Sequence, residues 1–331
     1  MLSKDDFELL IKKPYEEFIS RLSAYPIGEA LKKERVGQAQ EIERILTAGL
    51  LHELDFILKH SPPKERSFFQ AFAYKFEILN IQRLIRYHYA NVKADYSKVI
   101  NLRAQEILGR TAFISQLIQT KDLAELIAVL KDSEYEKYIT YAEELYKTFG
   151  DIWPFELILE NYYQNKMREK ANNLPKNERK KGILYVNLET LRYLIQLTLR
   201  ADFVKADISP IIQEIEIDTD FPYHRYLKQM LATDDLDTDL NILEQFGSTV
   251  IQRGIQKYRQ DKLFLHLEIA IHARELQLIT KYFKEDFGIL SILAYLKRYE
   301  LQIKDITRLL YLKEYNFPPE KIKELIIHLV E

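Results

Sequence analysis

The chain has 331 residues, a hydrophobic content of 47% and a formal net charge of only −2. This length supplies enough apolar side chains for a large buried core. A nearly neutral chain has no global field that would steer it to DNA or to an anionic membrane, so we expect no nucleic-acid partner. Cysteine is absent, which excludes disulfides, thiolate metal sites and cysteine nucleophiles.

Few residues in the chain can break a helix. The 9 glycines and 10 prolines are scarce for this length, which favours long helices over a turn-rich β fold. The longest apolar stretches, such as residues 288–296, are far shorter than the ~20 residues that span a bilayer. Acidic residues near the N-terminus interrupt what would be the apolar core of a signal peptide. We therefore predict an all-α protein that is cytoplasmic or peripheral to a membrane.

Several helices can be predicted in chain order. Ser3 followed by Asp6 predicts a capping box that opens the first helix. Residues 67–90 contain no glycine or proline and predict one uninterrupted helix of about 36 Å. A second such run covers residues 289–315, and Pro318-Pro319-Glu320 predicts a turn followed by a final short helix.

Three kinds of segment recur in the same order along the chain. A short amphipathic helix recurs near residues 17–22, 125–130 and 225–230, and polar breaks separate the longer helices. A polar residue three positions before an arginine then recurs on a long helix, at Asn80/Arg83, Glu189/Arg192 and Asp305/Arg308. Units of about 105–115 residues are too long for tetratricopeptide or HEAT repeats. We predict three similar helical bundles, over residues 1–96, 97–206 and 207–331.

An acidic run, Asp234 to Asp239, is the strongest candidate for chemistry. All-helical prenyl-transferring enzymes hold Mg²⁺ with aspartate-rich motifs, but such motifs come in facing pairs and this chain has one. An EF-hand also fails, because Leu240 and Phe246 stand where glycine and glutamate are needed. We interpret the run as a solvated linker.

A histidine-containing stretch is a weaker candidate. His266 and His272 are six residues apart, whereas a zinc protease helix needs two histidines four apart. Glu268 and His272 can form an ordinary surface pair. Neither a phosphate-binding P-loop nor a nucleophile elbow is present. The sequence thus predicts no catalytic centre, no metal and no cofactor.

Two residue sets remain as candidate contact sites. The segment from Lys166 to Lys181 is rich in basic residues and predicts a docking loop, although a solvated loop would look the same. Its candidate contacts are Lys176, Arg179, Lys180 and Lys181. The repeated arginine pairs have two interpretations. They either fix helix packing within each repeat or line a central socket that grips a partner.

Three stretches resemble the C subunit of the archaeal and bacterial A/V-type ATP synthases, the counterpart of the d subunit in the vacuolar ATPase. These are the opening from Phe7 to Leu31, the helix from Tyr74 to Arg86, and the C-terminal stretch from Ile289 to Ile322. The resemblance covers essentially the whole chain.

The resemblance implies a funnel of three similar bundles with pseudo-threefold symmetry. It implies a non-catalytic central-stalk socket at the cytoplasmic face of the membrane. That socket would join the D and F subunits of the stalk to the proteolipid rotor ring and so couple ATP chemistry to H⁺ or Na⁺ transport. A helical adaptor unrelated to ATPases, and an enzyme that uses the acidic run, remain as alternatives.

Overall fold

The computed structural model describes residues 1–33, 39–93, 95–212, 215, 217–283 and 288–330. The described part of the chain is helical and contains no strand, which confirms the predicted all-α class. A 3₁₀ helix covers Pro26–Lys33. The α-helices are α1 Lys4–Lys12, α2 Tyr15–Leu22, α3 Ala39–His60, α4 Pro63–Ala71, α5 Tyr74–Tyr89, α6 Tyr96–Val99, α7 Arg103–Leu108, α8 Thr111–Ile118, α9 Leu123–Lys131, α10 Glu136–Phe149, α11 Trp153–Asn172, α12 Lys176–Val204, α13 Ser209–Ile212, α14 His224–Met230, α15 Leu236–Glu244, α16 Thr249–Asp261, α17 Leu265–Phe283, α18 Ile289–Glu314, α19 Pro319–Glu324 and α20 Ile327–Val330.

Local sequence signals set many of these boundaries. The predicted capping box forms at α1, where the Ser3 hydroxyl accepts the Asp6 N–H and the Asp6 carboxylate accepts the Ser3 N–H. Asp122 and Asp235 cap α9 and α15 in the same way, each with a side-chain oxygen. Gly109 and Gly150 follow α7 and α10 with left-handed backbones, a conformation that glycine adopts without steric cost.

The single helix predicted over residues 67–90 is wrong. The chain turns at Phe72 and Ala73, whose N–H groups bond to carbonyls three residues back rather than four. Phe68, Phe69 and Phe72 are all fully buried. Adjacent residues point about 100° apart on a helix, so the tightened turn between α4 and α5 helps bring these rings into one core. Tertiary packing has overridden the local pattern.

The C-terminal prediction is confirmed in outline. Helix α18 ends at Glu314, and Asn316 then adopts a left-handed backbone. The short helix α19 begins at Pro319, a favoured position because the missing N–H of proline needs no partner there. Its Ile322 side chain is buried. Among the described residues, no helix combines the length and apolar character needed to cross a membrane.

The chain divides into two compact units. Unit 1 contains Met1–Leu50, Asn187–Lys205 and Asp218–Glu331, and unit 2 contains Leu51–Val186 and Ala206–Ile217. In unit 1, α17 packs between α16 and α18. In unit 2, α11 packs against α4, α5 and α10, and fully buried rings such as Tyr135 and Tyr163 fill its core. The threefold division at residues 96 and 206 stays a prediction.

Candidate functional site

The centre of unit 1 holds a fully buried lysine. Lys297 lies on α18, and its Nζ is 2.6 Å from Glu189 Oε1 on α12 and 3.0 Å from Glu275 Oε1 on α17. A third carboxylate, Glu300 Oε2, lies 3.6 Å away. A buried ion without a partner is very costly. Removing one partner of a buried ion pair therefore destabilises a protein by about 3–5 kcal/mol. The Lys297 network therefore ties α12, α17 and α18 together.

Arg192 completes the Lys297 network. Its Nη2 lies 3.4 Å from Glu189 Oε2, and its Nε lies 3.4 Å from Glu275 Oε1. Lys304 reaches Glu300 Oε1 at 3.4 Å from a partly exposed position. Three carboxylates thus face three cations, and the charges balance.

The charges of this network are mutually stabilised. Burial by itself lowers the pKa of Lys297, but attraction to Glu189, Glu275 and Glu300 outweighs it, and the pKa rises above its ordinary value of 10.5. The neighbouring His272 behaves in the opposite way. Burial, reinforced by the surrounding cations, lowers its pKa well below 6.5, so this histidine is neutral at physiological pH.

Further along α12, two carboxyl groups lie close together, and the cation that acts on Asp202, Lys205, is exposed. Asp239 on α15 is fully buried, and its Oδ1 accepts a 2.6 Å hydrogen bond from the Thr233 hydroxyl. Burial, and then the hydrogen bond with Asp202, raise the pKa of Asp239 to about 8. Burial also raises the pKa of Asp202. A pKa of about 8 keeps the Asp239 carboxyl mostly protonated at neutral pH.

The interpretation of residues 234–239 as a solvated linker is wrong at Asp239. Asp235 caps α15, which begins at Leu236. Asp239 lies three residues after Leu236, and the helical period turns its side chain into the core. Asp234 is exposed and precedes α15, as the interpretation expects, whereas Asp237 is exposed but lies in the first turn of the helix.

Asp305 is a second buried anchor on α18. Its carboxylate accepts the backbone N–H groups of Ile327 at 2.9 Å and His328 at 3.0 Å, at the start of α20. The His328 ring lies 2.7 Å away, and Arg308 donates both to Asp305 and to the Leu325 carbonyl. This predicted pair therefore holds the C-terminal segment against α18.

The corresponding pair in unit 2 is neutral at its first position. The buried Asn80 amide donates to the Asn101 carbonyl at 2.8 Å and accepts the Asn101 N–H at 3.1 Å. Arg83 donates to the Val99 carbonyl at 2.9 Å. All six residues from the predicted pairs thus make contacts inside their own unit. A role in lining a socket stays a prediction.

Comparison with known proteins decides the family. A family model described as ATP synthase (C/AC39) subunit matches residues 1–325. The chain belongs to this family. Relatives named as the C subunit of A-type ATP synthase are 24% identical in Pyrococcus horikoshii, over 96% of this chain and 84% of the relative, and in Methanocaldococcus jannaschii, over 97% and 81%. The relative of that name in Thermococcus kodakarensis is also 24% identical, over 96% and 84%. The predicted resemblance is confirmed.

The predicted basic docking loop of this family member is helical. Helix α12 begins at Lys176, and the Arg179 N–H bonds to the Pro175 carbonyl at 2.8 Å. Proline presets the backbone dihedral needed just before a helix, which explains why the loop interpretation is wrong. Lys176, Arg179 and Lys180 are exposed, whereas Lys181 is partly buried and lies 3.4 Å from Glu178. These four basic residues are called the basic segment below.

The two histidines and the glutamate of the histidine-containing stretch contact different residues. His266 contacts Asp261 at 2.8 Å, and His272 contacts Glu275 at 3.3 Å. Glu268 pairs with Arg200 on α12 at 3.3 Å, so the predicted surface pair with His272 is wrong. Within the described ranges, no three His, Cys, Asp or Glu side chains are arranged to hold a metal ion.

Unit 2 contains a buried charge cluster that the sequence did not reveal. Glu77 is fully buried, accepts a 2.5 Å hydrogen bond from the Tyr135 hydroxyl, and lies 3.0 Å from Arg110 Nε. Arg110 and Tyr162 both contact Glu134. Burial raises the pKa of Glu77, and the attraction of Arg110 opposes that shift. Glu77 lies on α5 and Tyr162 on α11, whereas the other members precede α8 and α10. No local periodicity could therefore have grouped them.

Proposed function

We propose that this chain is the non-catalytic central-stalk socket of a rotary A/V-type ATPase. It would connect the D and F subunits of the stalk to the proteolipid ring at the cytoplasmic face of the membrane, where rotation is coupled to H⁺ or Na⁺ transport. The three bundles predicted from the repeats would surround the socket. The observation that carries this proposal is the family match over residues 1–325. That match also favours a part of a rotary ATPase over an unrelated helical adaptor.

The packing of unit 1 supports a part that transmits torque. A subunit that transmits torque must resist relative sliding of its helices, because sliding would dissipate the applied torque. Well-packed interiors are hard to compress. The Lys297 network adds resistance to sliding, since moving α12, α17 or α18 separates buried opposite charges at 2.6–3.6 Å.

The basic segment supports a docking role. Three of its cations are exposed at the start of α12. We assign it an acidic face of a neighbouring protein in the complex, because complementary charge accelerates encounter and sets register between partners. Contacts of this kind weaken as salt screens them.

A pull-down tests the proposal. The tagged chain is incubated with detergent-solubilised A-type ATP synthase from which the native copy has been removed, and bound proteins are identified by mass spectrometry. We expect the D and F subunits and the proteolipid in stoichiometric amounts. Retention of neither the stalk nor the ring by the folded chain would overturn the proposal.

A charge-reversal variant sharpens the test. Lys176→Glu/Arg179→Glu/Lys180→Glu should reduce recovery of one partner class at low salt by about tenfold or more. A tenfold change corresponds to about 1.4 kcal/mol, which is within the range of a single close charge pair. Arg225→Glu/Lys228→Glu, on the exposed side of α14, is the control and should bind normally. Equal behaviour of both variants would remove the basic segment from the interface.

A further inference from the structure

Unit 1 contains a half-open cavity of about 330 Å³. Helices α1, α16 and α17 and the C-terminal helices α19 and α20 all contribute to its lining. This volume is at the lower end of the range of about 300–1,000 Å³ that small-molecule sites occupy. None of the residues of the Lys297 network lines it.

The polar part of the lining is predominantly cationic. The cations are Lys4, Arg253, Lys257 and Lys323, and the acids are Glu8 and Glu324, which leaves two positive charges in excess. Lys257 pairs with Glu324 at 2.9 Å. The exposed Arg253 makes no hydrogen bond or ion pair with the described part of the chain. Its planar guanidinium can therefore bind an oxyanion with two parallel hydrogen bonds.

Apart from His266, the remaining lining is aliphatic and well fixed. Val250, Ile269, Ala270 and Leu329 present methyl and methylene groups to the cavity. Helices α16 and α17 approach so closely that a Cβ atom at Gly254 would lie 2.4 Å from the Ala270 Cβ. The apolar wall is thus formed before any ligand arrives, which reduces the entropy lost on binding.

The lining also disfavours one common class of phosphate ligand. Within the described residues, the aromatic ring that lines the cavity is the imidazole of His266, which is buried and hydrogen-bonded to Asp261 at 2.8 Å. It therefore offers a nucleobase little open face for stacking, an interaction that contributes about 1–3 kcal/mol per base in other proteins. Aliphatic walls instead match a saturated chain.

We propose that this cavity binds an aliphatic phosphate ester, with its phosphate at Arg253 and its chain against Val250, Ile269 and Leu329. A phosphate monoester carries a charge of about −1.5 to −2 at neutral pH, which matches the excess of two cations in the lining. The volume accommodates a phosphate head and several methylenes. This ligand site is independent of the proposed rotor role.

Calorimetric titration of the full chain with n-hexyl phosphate tests the proposal. Hexyl phosphate should bind at least about tenfold more tightly than inorganic phosphate or hexanol, because inorganic phosphate lacks the alkyl chain and hexanol lacks the phosphate. Arg253→Gln should weaken binding about tenfold, which corresponds to 1.4 kcal/mol. Arg225→Gln, which removes an exposed arginine outside the lining, should leave binding unchanged. Absence of binding, or equal binding by both variants, would overturn the proposal.

A flotation assay separates the two sources of such an ester. The chain and both variants are mixed with vesicles of phosphatidylcholine alone, or of phosphatidylcholine and phosphatidic acid in equal parts. Arg253-dependent flotation with the acidic vesicles assigns the site to a lipid head group. Arg253-dependent binding of hexyl phosphate without flotation assigns it to a soluble ester. Equal flotation of the unsubstituted chain and Arg253→Gln, together with no binding of hexyl phosphate, would contradict the proposed site.

Discussion

Two stretches of the same helix treat buried carboxyl groups in opposite ways. Near residue 190 of α12, the Glu189 carboxylate lies 2.6 Å from Lys297 and 3.4 Å from Arg192. Thirteen residues later, Asp202 meets Asp239, and burial raises the pKa of both carboxyls despite the exposed Lys205 nearby. Both stretches belong to unit 1.

The contrast shows what decides the charge of a buried acid. Desolvation disfavours ionisation at both places, and nearby cations or hydrogen-bond donors oppose that preference. The Lys297 network should therefore be indifferent to pH across the physiological range, whereas the Asp202–Asp239 pair should respond to it. Four substitutions test the contrast, in order of decreasing expected effect.

Lys297→Met should have the largest effect. It leaves Glu189 and Glu275 buried beside each other without their shared cation. We expect a loss of about 3–5 kcal/mol in the free energy of unfolding, measured by urea denaturation followed by circular dichroism. Lys304→Met is the control, because this partly exposed cation at 3.4 Å from Glu300 should contribute about 0–1 kcal/mol. Equal losses would show that burial does not set the strength of the network.

Asp239→Asn should change the pH dependence of stability. With a folded-state pKa of about 8 and an ordinary value of 3.8, Asp239 binds more protons in the folded than in the unfolded chain between those values. Its contribution is therefore fully present below about pH 4 and is lost as pH rises through about 8. At about 1.4 kcal/mol per pH unit, the upper limit between pH 5 and pH 9 is about 4 kcal/mol. Relaxation of the protein and entry of water around the newly ionised pair reduce the expected loss in the unsubstituted chain to about 2–3 kcal/mol.

The amide introduced by Asp239→Asn would remove most of that slope, since it cannot ionise. Asp237→Asn on the exposed face of the same helix is the control and should retain the slope of the unsubstituted chain. Urea midpoints measured at several pH values give the result. A slope that survives Asp239→Asn would place the titrating proton elsewhere.

Asn80→Ala extends the comparison to a neutral buried group in unit 2. The substitution leaves the Asn101 N–H and carbonyl without their buried partner, and we expect a loss of about 1–3 kcal/mol. The chain has one tryptophan, Trp153 in unit 2, so its fluorescence in urea reports on this unit. Arg86→Ala, which breaks an exposed pair between α5 and Glu156, is the control and should cost about 0–1 kcal/mol.

Ser3→Ala should have the smallest effect. It removes one half of the capping box of α1, which contributes about 1 kcal/mol in other helices. Ser20→Ala on the exposed face of α2 is the control and should change stability little, because alanine favours a helix interior. Protection of α1 amides in hydrogen exchange distinguishes local fraying from global loss.

Local signals predicted much of this fold. The capping box at Ser3, the span of α18 and the turn after it follow from neighbours in sequence. The turn at Phe72 could not be predicted from neighbours in sequence, because it depends on which aromatic rings are buried together. The partners of Lys297 were missed for the same reason, since Glu189 and Lys297 lie on α12 and α18. Asp239 was misassigned because composition alone does not show which member of an acidic run turns inward.

We propose that this family member couples the stalk to the ring. The most direct measurement is ATP-driven ion uptake by membrane vesicles whose own copy of this protein has been removed and replaced by this chain. Uptake is followed with a pH-sensitive dye and with labelled sodium. We expect that adding the chain restores uptake at a given rate of ATP hydrolysis. Full ion uptake during ATP hydrolysis before the chain is added would contradict the proposed coupling role. Failure of the bound chain to restore uptake would contradict that role as well.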